Sequence, residues 1–301
     1  MLTSLTTPSE KRYAGGDQAR GLRSLVARQT LSAHEPSVKS CHTIVVSGGK
    51  GGVGRSVIAL NLAITLAQRG DAVGLLDASP DFGNIELLCG LNGYWNLSHV
   101  AQGSRQLDEV LVHGPVGVCI LSGANCLIDP SRIPARTFDQ LLNFERRLDW
   151  LIVDASGGAS SSTREFAIAA DDLLIVTTPE STAIAEAYAT VKSLATSTRP
   201  RLGLLVNQAD SANQAQRILD RLQQTAHALL QIDLHRRGYI PRDAAIPVSV
   251  NARQPFVLES PTSTATSALQ MLTQRWTRPP RSDGDLSFFA RLQKRGTTTL
   301  N

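Results

Sequence analysis

Glycines and two basic residues are concentrated between positions 49 and 56, directly after an apolar run. The run Thr43 to Val46 predicts a buried strand, and the apolar stretch after Ser56 predicts a helix. A glycine loop in this context can wrap an anion with its backbone N–H groups, and the positive end of the helix dipole adds to the attraction. The sequence therefore predicts a phosphate-binding loop, formed by Gly49, Lys50, Gly51, Gly52, Val53, Gly54, Arg55 and Ser56.

Three side chains of this loop have chemistry that suits a bound phosphate. The Ser56 hydroxyl is placed to bind a phosphate-associated Mg²⁺, and Lys50 is a cation early in the loop. Arg55 stands where the usual P-loop pattern has lysine, and its planar, bulkier guanidinium is not interchangeable with an ammonium. The simpler alternative is a glycine-rich turn that binds no ligand.

Two aspartates end apolar runs that predict strands. Asp154 follows Leu151 to Val153, and Asp77 follows Val73 to Leu76. In P-loop ATPases, acidic groups at strand carboxyl ends hold the magnesium shell and place the attacking water. Although a strand-terminal aspartate is often only a turn residue, two of them beside a phosphate loop favour a metal site. We therefore predict Ser56, Asp77 and Asp154 as magnesium ligands, with Asp154 as the Walker B carboxylate. Glycines 157 and 158 would let the following loop approach a terminal phosphate.

Composition limits the classes of protein that fit. The 301 residues suit one large domain with tails, and a net charge of +4 does not indicate a dedicated nucleic-acid binder. No apolar run is long enough to span a bilayer, and no signal peptide opens the sequence, so we expect a cytoplasmic protein. The cysteines lack C-x-x-C spacing and are expected to be reduced residues rather than metal ligands: Cys41, Cys89, Cys119 and Cys126.

Short apolar runs alternate with helical stretches along most of the chain. This alternation predicts an α/β fold: a doubly wound, mostly parallel sheet with helices on both faces. We expect a flexible segment over 1–38 with a short helix at 17–26, a domain over 39–276, and a linker with an amphipathic helix over 277–301. Besides the first strand, the strand candidates are Ala72–Asp77, Val118–Ser122, Leu151–Asp154, Leu173–Thr177, Leu202–Asn207 and Gly238–Ile240.

The loop from Gly49 to Ser56 resembles the deviant Walker A loop of the MinD/ParA class of P-loop ATPases. The resemblance implies ATP and Mg²⁺ as cofactors, and an ATP-dependent homodimer in which Lys50 reaches the partner's nucleotide. Residues 75–88 resemble switch I of MinD-type proteins, where the second aspartate of Asp-x-Asp orients the hydrolytic water. This sequence has Ser79 there, with Asp81 two residues on. The implied catalytic residues are Lys50, Ser79, Asp81 and Asp154, and hydrolysis is expected to be slow or impaired.

Two later elements resemble the parts of this class that contact the base. Asn207 follows a predicted strand, and in the class an asparagine at a similar place hydrogen-bonds adenine. The stretch Gly238 to Asp243 resembles the loop beside the base, so Pro241 and Asp243 are implied as nucleotide contacts. An asparagine after a strand is otherwise an ordinary turn residue.

Three features resemble the FlhG/FleN branch of the class, which controls flagellar number and placement. They are the Thr-Thr-Pro-Glu segment at 177–180, two stretches of the closing portion at 238–243 and 251–257, and Asp17-Gln18-Ala19 near the start. In that branch an Asp-Gln-Ala helix docks onto the signal-recognition-type GTPase FlhF and stimulates its GTP hydrolysis. The resemblance therefore implies this GTPase as a partner.

The C-terminal stretch predicts an amphipathic helix. Leu286, Phe289 and Leu292 fall on one helical stripe, and Arg291, Lys294 and Arg295 flank it. Such a helix suits the interface of an anionic membrane, which predicts peripheral attachment to the inner face of the cytoplasmic membrane. The alternatives are a helix packed back onto the domain and a disordered tail.

Other functions of the same fold stay open. A catalytically impaired nucleotide-binding scaffold is favoured by Arg55 and Ser79. A ParA-like partitioning ATPase would need a basic DNA-binding surface, which the modest charge does not indicate, so no specific nucleic acid is expected. A septum-placement MinD would share the C-terminal helix without needing Asp17-Gln18-Ala19. An iron–sulfur carrier would need paired cysteines, which the sequence lacks.

Overall fold

The protein is described by a computed structural model, which covers residues 41–79, 84–155, 157–158, 161–194, 200–277 and 285–298. The predicted helix at 17–26, with Asp17-Gln18-Ala19, and the candidate Asp81 lie outside these residues. The strands are β1 (His42–Gly48), β2 (Val73–Asp77), β3 (Val112–His113), β4 (Cys119–Ser122), β5 (Trp150–Asp154), β6 (Asp172–Thr177), β7 (Arg201–Ala209) and β8 (His235–Pro241).

These strands form an eight-stranded sheet in the order β3-β4-β2-β5-β1-β6-β7-β8. Its strands are parallel except for β3, which pairs antiparallel with β4 at the edge. The predicted fold class is confirmed, and each predicted strand is present with ends shifted by up to three residues. The sequence analysis missed β3, because a strand of two residues has no alternating pattern to detect.

Helices connect most of the strands. The α-helices are α1 (Arg55–Gln68), α2 (Asn84–Leu88), α3 (Leu97–Ala101), α4 (Leu107–Val110), α5 (Ala135–Glu145), α6 (Ser161–Ala169), α7 (Ser181–Leu194), α8 (Ala212–Leu230), α9 (Ala245–Asn251), α10 (Phe256–Glu259), α11 (Thr264–Gln274) and α12 (Phe288–Thr298).

Both faces of the sheet are buried. Successive residues of β1 and β5 alternate between two hydrophobic clusters, as the pleat of a strand requires. One cluster contains the apolar residues of α1 and α11, and the other contains those of α5 and α8 and most of those of α7. The central strands therefore read as continuous apolar runs, which is typical of parallel strands that helices cover on both sides.

The C-terminal helix α12 packs on the domain. Phe288, Phe289 and Leu292 are fully buried within one of the two core clusters. The Glu145 carboxylate accepts the backbone N–H groups of Phe288 and Phe289 at 2.8 and 3.1 Å, and so caps the start of the helix. The C-terminal helix accordingly belongs to the same compact unit as the sheet.

Two of the three cationic residues predicted to flank the membrane-facing stripe, Arg291 and Arg295, form ion pairs with the domain. Arg291 donates to Asp171 at 2.7 Å, and Arg295 forms a two-pronged ion pair with Glu165 at 2.6 and 2.9 Å. Of the alternatives that the sequence left open for this stretch, the structure shows the helix packed back on the domain. The helical pattern required only that the apolar stripe be covered, and the domain core covers it. None of the described helices is both long and apolar enough to cross a membrane.

Candidate functional site

The carboxyl ends of the central strands bring the predicted acidic residues together. The parallel register places Asp77 of β2 opposite Asp154 of β5, and Val46 of β1 pairs with Asp154 on its other side. The glycine loop leaves β1 at this same edge. Ligands of open α/β sheets bind at such a point, where the connections from neighbouring strands diverge.

The predicted phosphate loop leads directly into α1. Gly54 precedes the helix with φ of 90°, a left-handed conformation that glycine adopts without strain. No side chain caps the first turn, and the turn carries no acidic residue, so its backbone N–H groups and positive dipole end suit an anion. The space where a β-carbon of Gly51 or Gly52 would point is open. The loop therefore fits the phosphate that the sequence predicted.

The Asn207 side chain, on β7, connects this loop to the sheet by a hydrogen bond. Its side-chain amide donates to the carbonyl of Val53 at 2.9 Å, and its Oδ1 accepts the backbone N–H of Gln208 at 2.9 Å. A β-carbon on Gly54 would lie 2.5 Å from the Asn207 amide nitrogen. The described contacts make Asn207 a support for the P-loop, and its contact with adenine stays a prediction.

Gly49 permits a second close approach. A β-carbon on this residue would overlap the backbone of Glu186 and Ala187 in α7. The start of the loop therefore lies directly against this helix, and the absence of a side chain at Gly49 allows it.

Asp154 is buried with both carboxylate oxygens unsatisfied. It is 1% exposed, and neither oxygen accepts a hydrogen bond that meets normal geometry within the described chain. Burial raises the pKa of Asp154 to about 7, while the nearby Ser56 hydroxyl and the Arg55 guanidinium oppose the shift. Two buried and unsatisfied oxygens beside a hydroxyl match the oxygen ligands that Mg²⁺ takes. Ser56 and Asp154 therefore fit a phosphate-bound magnesium ion.

Asp77 has a different environment. Its oxygens accept the backbone N–H groups of Ser79 at 3.0 Å and of Ile85 at 3.1 Å, so this carboxylate orders the segment after β2. Burial raises the pKa of Asp77, and those two hydrogen bonds work against the shift. An outer position in the magnesium shell, as predicted, agrees with a carboxylate that the protein already holds. Ser79 lies in the same segment, which carries a hydroxyl where a catalytic carboxylate was expected.

Arg55 lies inside the site beside Asp154. Its Nη1 is buried and has no hydrogen-bond partner in the described part of the chain. Burial lowers the pKa of the guanidinium, and the charge of Asp154 raises it. A buried donor without an acceptor is costly, and a phosphate oxygen would satisfy it.

Lys50 is directed away from this buried site. Its Nζ lies 2.6 Å from the Glu180 carboxylate and 3.3 Å from the Thr182 hydroxyl. The Lys50 side chain is 41% exposed, and that of Glu180 is 64% exposed. The Glu180 carboxylate raises the pKa of Lys50, which keeps this amine a surface cation. Glu180 lies in the segment that resembles the FlhG/FleN branch, and only the structure shows that it contacts Lys50.

The two remaining predicted base contacts support the fold. Pro241 ends β8 and pairs with Ala209 at the sheet edge. The Asp243 carboxylate accepts hydrogen bonds from the backbone of Ala245 and Ala265 at 2.9 and 3.0 Å, and from the Thr264 hydroxyl at 2.7 Å. These bonds lower the pKa of Asp243. The described contacts thus give Asp243 a capping role, and its contact with a base stays a prediction.

Sequence reasoning missed a polar cavity of about 470 Å³ next to the acidic pair. Asp77 and Ser79 form part of its wall, together with the buried Glu86. Glu86 accepts hydrogen bonds from the Ser122 hydroxyl and from the backbone of Gly93, both at 2.5 Å. The only available signal was that Glu86 falls within the segment resembling switch I.

Comparison with known proteins agrees with this geometry. The ParA family model, described as "NUBPL iron-transfer P-loop NTPase", matches residues 39–277. The chain is 32% identical over 261 residues to the antiactivator FleN of Pseudomonas aeruginosa, which covers 84% of this chain and 93% of FleN. It is 31% identical over 218 residues to the flagellum site-determining protein YlxH of Helicobacter pylori, across 70% of this chain and 73% of YlxH.

Solved structures show the same fold. MinD complexed with Mg-ADP from Pyrococcus horikoshii matches with a TM-score of 0.63 and 18% identity, over 78% of this chain and 95% of that chain. The matching family description mentions iron transfer. The four cysteines form no disulfide bond with one another, and no group of three or more His, Cys, Asp and Glu side chains within the described residues could hold a metal ion by itself.

Proposed function

Since this chain belongs to the FleN/FlhG-type branch of the MinD/ParA P-loop ATPases, we propose that it is an ATP-dependent dimerising switch that regulates flagellar number or placement. Nucleotide binding and ATPase activity are expected of the family. The observation that carries the switch is the placement of the two loop cations. Arg55 is half-buried, with its Nη1 atom fully buried and its charge close to that of Asp154, whereas Lys50 lies outside on the surface.

Each residue of the site has a role in this proposal. Backbone N–H groups of the loop and of the first turn of α1 bind the phosphates, and Arg55 donates to the terminal one. Ser56 and Asp154 would hold Mg²⁺, and the bound ion would neutralise charge that develops on the phosphates during transfer. Asp77 holds the segment that carries Ser79. Because a hydroxyl is a poor general base, the residues of this chain support slow hydrolysis.

Lys50 gives the proposal its direct test. With Mg-ATP, the native chain is expected to dimerise, and Lys50→Ala is expected to bind nucleotide but stay monomeric, because the cation that reaches the partner is gone. Glu180→Gln removes the carboxylate that holds Lys50 at 2.6 Å, so its dimer is expected to form at a few-fold lower protein concentration. Analytical ultracentrifugation with and without Mg-ATP measures both effects.

Glu259→Gln is the matched control, because Glu259 is exposed and lies on α10, away from the loop. It is expected to dimerise like the native chain. A Lys50→Ala protein that dimerises normally with Mg-ATP would contradict the switch.

A catalytically impaired scaffold is the second candidate, and Arg55 and Ser79 favour it. The same experiment separates the two functions. A native chain that binds ATP and remains monomeric at every concentration would support the scaffold, which acts through its surfaces without a nucleotide-driven change in assembly.

The partner of this switch is proposed to be a signal-recognition-type GTPase such as FlhF. The support is the Asp17-Gln18-Ala19 segment ahead of a MinD-like domain, together with relatives whose names refer to an antiactivator and to a flagellum site. A segment of this kind would act on a partner while the P-loop domain controls assembly.

We further propose reversible attachment to the inner face of the cytoplasmic membrane through α12. Because the apolar face of α12 is buried in the domain, attachment requires that this helix leave its site. Glu145→Ala removes the acceptor of the Phe288 and Phe289 N–H groups. It is expected to increase binding to anionic vesicles several-fold in a flotation assay, because the docked state loses its cap.

Glu259→Ala is the control for the vesicle experiment, and it is expected to bind vesicles like the native chain. If Glu145→Ala loosens α12, as judged by faster proteolysis near residue 290, and still fails to bind anionic vesicles, the membrane proposal is wrong.

A further inference from the structure

Arg55 lies against a glycine that follows β5. A β-carbon placed on Gly157 would overlap the Arg55 Nη1 atom, lie 2.9 Å from its Cζ and lie 3.2 Å from the Gly48 carbonyl oxygen. Contacts of that length require something to move. The space that the guanidinium occupies is therefore the space that a side chain at position 157 would fill.

The backbone around Gly157 has little freedom to withdraw. The N–H of Gly158 donates to the Gly48 carbonyl at 2.6 Å, which ties this loop to the end of β1. The N–H of Ala155 likewise donates to the Val46 carbonyl at 3.0 Å. With the loop held on both sides, a side chain at 157 would displace the guanidinium rather than the backbone.

We propose that Arg55 and Gly157 are a matched pair that lets this P-loop use arginine where lysine is usual. The inference rests on the proposed nucleotide binding and deepens it. Gly157 leaves room for the planar guanidinium. From that position the buried Nη1, which has no acceptor within the described residues, donates to the terminal phosphate of a nucleoside triphosphate. Position 157 therefore determines which cation the P-loop accepts.

The chemistry of the two cations makes the pair testable. A lysine at position 55 would present a compact ammonium on a flexible stem, without the planar fork that needs the space beside residue 157. Alanine at 157 should then be tolerated when residue 55 is lysine and rejected when it is arginine. Gly157 does not have a left-handed φ, so alanine there meets only the steric contact and no backbone strain.

The experiment is a double-mutant cycle on the full chain, with the native protein, Arg55→Lys, Gly157→Ala and the double variant. The equilibrium Kd of a fluorescent ATP analogue with Mg²⁺ is measured by anisotropy. Gly157→Ala is expected to weaken binding roughly tenfold or more in the arginine background and less than about threefold in the lysine background. If Gly157→Ala weakens binding by the same factor whether residue 55 is arginine or lysine, the proposed pairing of Arg55 and Gly157 is wrong.

Gly158→Ala is the matched control. Gly158 has φ of 79°, and a β-carbon there would meet only the Gly49 carbonyl, at 3.6 Å. Any loss of affinity in Gly158→Ala comes from backbone strain, so this loss is expected to be the same whether residue 55 is arginine or lysine. A background-dependent cost at 158 would show that the coupling is not specific to residue 157, and would also overturn the pair.

Thermal unfolding of the same proteins without nucleotide separates this inference from the proposed function. Gly157→Ala is expected to lower Tm by about 3 °C or more in the arginine background and by clearly less in the lysine background. If the native chain binds neither ATP nor ADP, the proposed function fails, and this second cycle still decides the pairing. If the substitutions at residues 55 and 157 are coupled in their effect on Tm but not in their effect on Kd, Arg55 does not donate to the phosphate as proposed.

Discussion

Asp154→Asn is expected to stabilise the nucleotide-free protein at pH 8 while removing most ATP turnover. The Asp154 carboxylate is buried, and neither of its oxygens accepts a hydrogen bond of normal geometry from the described residues. Its charged form is therefore costly in the folded state, and asparagine removes that cost. Turnover should fall roughly a hundredfold or more, the usual size of effect when a charge-stabilising group of an active site is removed.

The effect on stability should depend on pH with a defined sign. The pKa of Asp154 is about 7 in the folded state, against an ordinary value of 3.8. The folded state thus binds more protons than the unfolded state between these values, so the unfolding free energy falls as pH rises from about 4 to about 7. At 1.36 kcal/mol per pKa unit, a shift of roughly three units corresponds to a total loss on the order of 4 kcal/mol. Native protein and Asp154→Asn should therefore differ little near pH 4 and most near pH 8.

Asp77→Asn is the matched control, because Asp77 ends the neighbouring strand and faces Asp154 in register. Its oxygens accept two backbone N–H groups, and asparagine keeps only one acceptor oxygen. Asp77→Asn is therefore expected to destabilise the protein at pH 8. Thermal unfolding from pH 4 to pH 8 measures both variants. A destabilised Asp154→Asn at pH 8 would contradict the environment that the structure gives to this carboxylate.

Phe289→Ala is expected to lower the unfolding free energy by about 3–4 kcal/mol, the cost of truncating a fully buried phenylalanine. Phe289 is 0% exposed and packs edge to face with Phe288 at a ring-centroid distance of 5.2 Å. The truncation leaves a cavity between α12 and the domain. Urea unfolding followed by circular dichroism measures the change.

Leu286→Ala is the control, since Leu286 falls on the same predicted apolar stripe but is 43% exposed and precedes α12. Its effect is expected to stay within about 0.5 kcal/mol. If both truncations lower the unfolding free energy equally little, α12 is not docked on the domain in solution. A free amphipathic helix, as the sequence predicted, would then describe this segment better.

Local sequence patterns were sufficient to predict where much of the candidate site lies. The strand–glycine loop–helix order placed the P-loop, and Asp77 and Asp154 could be paired because parallel strands present their carboxyl ends at one edge. The positions of these residues could be predicted because each depends on residues close in sequence, or on a rule of parallel sheets that needs no side-chain detail.

Sequence patterns could not predict which contacts the individual side chains make. Asn207 was predicted to contact a base, and that prediction stands untested, but no pattern indicated that its amide would donate to the carbonyl of Val53, 154 residues earlier. Lys50 was expected to reach across a dimer, and in the single chain it pairs with Glu180, 130 residues later. Nothing in the local sequence encodes such partners, since the fold alone decides which distant residues become neighbours.

The C-terminal helix shows the same division. Its sequence determined that one face is apolar and the other cationic, since helical periodicity follows from residue order. Only the tertiary structure decided what covers that face, namely the domain core, with Glu145 at the helix start and Asp171 and Glu165 binding its arginines. Periodicity specifies that a surface must be buried, whereas the choice between a membrane and a protein core depends on the shape and charge that distant segments bring to it.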